Sequence, residues 1–121
     1  MENFPTLISL LFSSRTQAHV FHLQTMSFAE HNALNTYYDG IVDIIDQLVE
    51  AYQGKYGLVN KYSNVKLSDY TNKQQVIQYF EGLMKSIETL RTEIPDSFLQ
   101  NIIDTVVDLI SSTLYKLKYL N

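Results

Sequence analysis

Cysteine and tryptophan are absent from the 121-residue chain, while proline occurs twice, histidine three times and glycine four times. Without cysteine there are no disulfides, thiolate zinc sites, iron–sulfur clusters or cysteine nucleophiles, which leaves His, Asp and Glu as the strong metal ligands. A chain of this size buries roughly two-thirds of its unfolded surface, so one domain can hold a core without staples. Nine Lys and Arg stand against thirteen Asp and Glu, a net charge of −4. The bases are scattered and lack the clustered footprint of a nucleic-acid binder, so no nucleic-acid partner is expected. No run approaches the roughly 20 apolar residues that cross a bilayer, and Met1 to Pro5 lacks the basic start of a secretory signal. The expectation is an intracellular, soluble protein with no membrane partner.

The few Gly and Pro divide the chain into four helical stretches. Asn3 as cap and Pro5 in the first turn open a helix over about 4–25, whose face carries Leu7, Leu11, Ser14, Ala18, Phe21 and Thr25. Ser27-Phe28-Ala29-Glu30 has the pattern of a capping box and starts a second helix over about 28–53. So short a turn makes the two helices an antiparallel hairpin. Leu34, Tyr37, Tyr38, Ile41, Ile44, Ile45, Leu48 and Val49 form the broad apolar stripe of the second helix. Gly54-Lys55-Tyr56-Gly57 ends it, and the loop over about 54–71 has no sustained period.

Thr71 to Gln74 and Ser97 to Gln100 repeat the box pattern and open helices over about 72–91 and 97–119. The fold expected is all-α: a four-helix bundle with one long connection between the second and third helices. That loop is long enough to return along the bundle and set those two helices parallel, a ferritin-like crossover.

His19, His22 and His31 all lie on the first hairpin, where they can meet across the turn. On the second helix His31, Asn35, Asp39, Asp46 and Glu50 share one polar stripe. His31 and Glu50 are too far apart along one helix to share an ion. A two-fold dimer with second helices antiparallel would set Asp46 and Glu50 of one copy against His31 and Asn35 of the other. Imidazole and carboxylate suit iron, manganese or zinc. The structural alternative is that Arg15 pairs with Asp39 and the histidines are satisfied by nearby carboxylates.

With intervals of 12, 4, 11 and 4, His19, His31, Asn35, Asp46 and Glu50 resemble the ligand spacing of Dps proteins, the mini-ferritins. Their di-iron ferroxidase centre lies between antiparallel helices of two subunits. Asn35 stands where that pattern has its first Asp. A further resemblance is to small ferritin-like proteins of tailed bacteriophages. It rests on His22-Leu23-Gln24-Thr25, Ser27-Phe28-Ala29-Glu30-His31, Ala33-Leu34, Asp46 and Val49 to Gly57, with Leu99 to Ile102 and Thr113 to Leu117 in the last helix.

In the phage-like pattern His22 is the ligand by motif, whereas His19 matches by spacing alone. The resemblance implies iron bound by His22, His31, Asp46 and Glu50, with His19 and Asn35 auxiliary, and ferrous iron oxidation as the activity. It also implies a homodimer through the second helix that can extend to a cage, in a phage-encoded protein of the host cytoplasm or the virion. The alternative from another class is a non-catalytic structural or host-interaction protein whose polar stripe is a dimer salt-bridge network.

Overall fold

The computed structural model describes residues 2–121. It contains four helices, α1 (Phe4–Gln24), α2 (Phe28–Tyr56), α3 (Lys73–Arg91) and α4 (Ser97–Tyr119), and no strand among the described residues. Helix α1 lies against α2 and α3, and α4 lies against α2 and α3. Each neighbouring pair is antiparallel. His22 stacks on His31 at one end of the α1–α2 hairpin and Phe4 on Tyr52 at the other. Gly40 faces Leu109 while Lys55 reaches Asp96, and Arg91 meets Asp104 while Glu81 meets Lys118. The diagonal helices α2 and α3 are therefore parallel, as the crossover expectation requires.

The connection 57–72 runs along α1. The backbone N–H of Ser63 donates to the Ser9 hydroxyl. Gln17 makes two bonds with the Ser68 backbone, and the Gln24 side-chain Oε1 accepts from the Tyr70 N–H at 2.6 Å. Ser9 to Gln24 is about 22 Å of helix at the usual rise. Seven residues cover that distance at about 3.2 Å each on average, with the Gln17 and Gln24 side chains reaching out to meet them. The crossover is an extended strap.

That strap explains why α1 has no single apolar face. Its buried residues include Phe4, Leu7, Ile8, Ser9, Gln17, Phe21 and His22, which surround the helix. The α2 side, the α3 side and the strap enclose it from three directions. Helices α3 and α4, open to solvent on one side, keep the one-sided stripes that their sequences show, Val76, Phe80, Leu83 and Ile87 facing Leu99, Ile103, Val106 and Ile110. Tyr37 packs edge-on to Phe80 at 4.9 Å in the centre, and its hydroxyl is bonded to Ser14 at 2.6 Å. Burial pushes the Tyr37 phenol up from its ordinary range, partly offset by the Ser14 bond.

The caps differ from the sequence reading in instructive ways. Ser27 accepts from the Glu30 N–H as the box pattern expects. Glu30 does not reach back to Ser27; the Thr25 hydroxyl accepts from the Ser27 N–H and donates to the Glu30 carboxylate. In the second box the cap is Asn72, one residue later than read, and Gln75 reaches back to Thr71. In the third, Ser97 is already helical and the cap position is Asp96, which makes no side-chain cap bond. Its carboxylate is held instead by Lys55 and Tyr56 from α2. Helix α2 continues through Gly54 to Tyr56 and ends where Gly57 takes a positive φ of 91°, a conformation open to glycine at little cost.

Candidate functional site

The tight turn from α1 to α2 brings His22 and His31 together with ring centroids 3.6 Å apart and planes 19° from parallel. The His22 Nδ1 is 2.7 Å from the His31 carbonyl, and the His31 Nδ1 is 2.9 Å from the His22 carbonyl. A carbonyl only accepts, so both Nδ1 atoms carry protons and, in the neutral rings, both Nε2 atoms carry the lone pair. The His22 carbonyl lies in the last turn of α1, among those that have no partner within the helix. The His31 ring satisfies it and favours the negative end of the helix dipole.

His19 extends the cluster. Its ring stacks on Tyr38 at 4.4 Å and meets His22 edge-on at 5.8 Å. Asn35 is occupied on both sides of its amide: the Nδ2 donates to Asp39 at 2.7 Å and the Oδ1 accepts from the Tyr38 hydroxyl at 2.9 Å. Tyr38, which the sequence reading treats as packing, thus organises His19 and Asn35 together. Its signal is the spacing of three from Asn35 on one helix.

Asp46 and Glu50 lie further along α2, exposed and in no ion pair among the described residues. Asp46 is fifteen residues beyond His31, about 22 Å of helix. The chain therefore joins His19, His22, His31 and Asn35 at the hairpin and keeps the two carboxylates apart. Among the described residues no three His, Asp or Glu converge to hold a metal ion. The expected Arg15–Asp39 pair is not formed either; Arg15 is exposed and makes no ion pair among the described residues.

The stacked histidines cannot chelate one ion between them. Ring nitrogens bond in the ring plane at about 2 Å. Planes so nearly parallel, with centroids 3.6 Å apart, converge far outside that reach. His22 is buried and His31 only half-buried, so the His31 Nε2 is the one set to face a ligand and His22 supports it from beneath.

A second polar cluster fixes the turn. The Glu30 carboxylate is buried and accepts from Thr25 at 2.9 Å and from Tyr70, on the strap, at 2.7 Å. Burial, with the Glu30 carboxylate beside it, raises the Tyr70 phenol above its ordinary value. The hairpin end, the strap and α3 are tied here, with Phe21 edge-on to both Tyr70 and Tyr79. No helix among the described residues is long and apolar enough to cross a membrane.

Residues 22–117 match the model of a family of unknown function (DUF5856). No curated protein and no solved structure matches the chain.

Proposed function

For a chain that belongs to this family of unknown function, we propose an oligomeric, metal-binding role in which a two-fold dimer completes the ligand set. The observation that carries the reading is the pairing of an Nδ1-bonded His31 with an unpaired acidic stripe on the same helix. A histidine that donates its Nδ1–H to a carbonyl is oriented as metal-bound histidines usually are, with Nε2 turned to the ligand. With α2 helices antiparallel about the level of Gly40 and Ile41, Glu50 of one copy lies level with His31 of the other, and Asp46 level with Asn35. His31, Asp46 and Glu50 then supply one imidazole and two carboxylates, with His22 and His19 as supports. The set suits ferrous iron, manganese or zinc. The Asn35 oxygen, uncharged and already accepting from Tyr38, is a weaker ligand than a carboxylate, so the reading is one ion per site rather than two.

Bound ferrous iron would be the substrate of any oxidation, with dioxygen as oxidant. The chain's own part is to hold and orient the ion. The Dps-like and phage-like resemblances agree with this reading.

The test is sedimentation and native mass spectrometry of protein purified without chelator and loaded anaerobically with ferrous iron, manganese or zinc. The expected result is a dimer that retains metal, with Glu50→Gln and Asp46→Asn lowering occupancy but not the melting temperature. Oxygen uptake above the buffer rate on adding ferrous iron would carry the ferroxidase step. A monomer with or without metal overturns the shared site.

A second reading has its own observation, the unpaired Arg15 beside α2. In the same dimer Arg15 meets Asp39 or Asp43 of the partner, and the stripe is a salt-bridge network without metal. A dimer that retains no ion selects it.

A further inference from the structure

His19 and His22 stand three residues apart in the last two turns of α1, with ring centroids 5.8 Å apart and planes at 65°. The Nδ1–H of His22 is committed to the His31 carbonyl at 2.7 Å, so the lone pair of the neutral ring sits on Nε2. That Nε2 makes no hydrogen bond, yet no buried side-chain nitrogen or oxygen among the described residues lacks a partner. It therefore opens to solvent from an otherwise buried ring. The His19 ring is exposed and its nitrogens are bonded to nothing among the described residues. Tyr38 lies against both rings, stacked on His19 at 4.4 Å and edge-on to His22 at 5.2 Å. The pair is thus positioned before any ligand arrives.

An imidazole nitrogen meets a metal ion at about 2.1 Å in the ring plane, which puts the ring centroid roughly 3.2 Å from the ion. Two rings on one ion at a tetrahedral angle then have centroids about 5.2 Å apart. The 5.8 Å between His19 and His22 comes to that value by a small turn of the exposed His19 ring. The negative end of the α1 dipole favours a cation here, and no Lys or Arg lies between Thr16 and Gln24 to oppose it.

We infer that His19 and His22 of one chain chelate a divalent cation of the copper(II), nickel(II) and zinc(II) class, with water in the remaining positions. Two neutral imidazoles without a carboxylate suit these ions, and copper(II) binds such nitrogen ligands most tightly of the three. Manganese prefers oxygen ligands such as the carboxylates of α2. The site is complete within one chain. It needs neither the α2 dimer nor Asp46 and Glu50, and it leaves the His31 Nε2 free for the shared site. Tyr38 acts as a positioning residue, since its hydroxyl is already given to Asn35.

With no cysteine in the chain, thiolates do not compete for copper. The test adds copper(II) to the parent and to the Asp46→Asn, Glu50→Gln double variant, in which the shared site is disabled. Electron paramagnetic resonance and spin-echo modulation count the ions and the imidazoles bound to them. The expected result in the double variant is one ion per chain with two coordinated imidazoles, and the same two-imidazole signal in the parent. Adding His19→Ala should leave one imidazole and weaken binding about tenfold or more, because the second ligand no longer acts at high effective concentration. Circular dichroism should not change, since the His19 ring is exposed. One imidazole or none in the double variant overturns the inference. So does an unchanged dissociation constant in His19→Ala, or copper binding that disappears with Asp46 and Glu50, which would put the ion in the α2 dimer. Manganese retention and the dimer can fail while this signal forms, and the reverse, so the two sites are judged separately.

Discussion

Asp96 shows how one side chain gives up a local role for a distant one. It stands at the cap position of α4, yet its carboxylate accepts from Lys55 and from the Tyr56 hydroxyl at 2.6 Å. The Lys55 bond, then that of Tyr56, holds its carboxyl below the usual range, and the same Asp96 bond raises Lys55. A carboxylate with a depressed folded value stabilises fully above its unfolded value near pH 3.9 and loses that contribution as pH falls through the folded value. Lys55 has the opposite sign. Its contribution is complete below the ordinary lysine value of about 10.4 and is lost as pH rises through the raised one. The latch should therefore be intact across the neutral range. Thermal melts of Asp96→Asn should show a lower midpoint near pH 7 than the parent, with the difference shrinking below about pH 4. A pH-independent difference would mean that shape, not charge, carries the contact. The sequence marks Asp96 only as a residue before a helix, because its partners lie about forty positions away.

At the level of elements, the strap sets both what is legible and what is not. Four helices follow from the spacing of apolar residues and from where Gly and Pro fall, and these features locate the crossover too. The face read on α1, from Leu7 through Phe21, omits Phe4, Ile8 and Gln17, all buried. Phe4 is covered by Tyr52 of α2, whereas Gln17 is interior beside a non-periodic segment that returns over the helix, and periodicity cannot report a neighbour that has none. Gln17 is the visible trace of it, a polar residue among apolar ones whose amide binds the Ser68 backbone on both sides.

The anchors give the strap an asymmetric tolerance. Removing two residues from 64–67 leaves three steps, about 10 Å, for the roughly 12 Å of helix between Ser9 and Gln17, so the Ser63 or the Ser68 bonds must be released. Inserting two glycines there adds slack at small entropic cost, since closure entropy grows slowly with length. The deletion should lower stability by several times the effect of the insertion in urea unfolding. Gln17→Ala should cost about 0.5–1.5 kcal/mol for each of the two bonds it removes, since the exposed Ser68 backbone can turn to water. Equal effects of deletion and insertion would show that these anchors do not fix the strap's length.

For the whole molecule, the candidate ligands are divided between what one chain assembles and what only two can. The meeting of His22 and His31 is legible because it is local, a matter of a short turn and helical spacing. Whether Asp46 and Glu50 meet them depends on a symmetry axis that no single sequence contains. Charge offers a way to decide which dimer forms. The outer face of α2 carries Asp39, Asp43, Asp46 and Glu50, all exposed, and among the described residues only Asp39 has a hydrogen-bond donor, the Asn35 amide. Paired with their copies across a two-fold axis, these carboxylates repel, and two cures exist: a divalent cation or Arg15 from the partner. The cures respond oppositely to salt, since screening over about 10 Å at 0.1 M weakens attraction and repulsion alike. If a cation is needed, the metal-free dimer should tighten as sodium chloride rises, and adding metal at low salt should tighten it more. If Arg15 serves, the dimer should loosen with salt, be indifferent to metal and dissociate in Arg15→Ala. Sedimentation equilibrium over a salt series, with and without manganese, reads the sign directly. A dissociation constant that moves with neither salt nor metal would remove α2 as the interface.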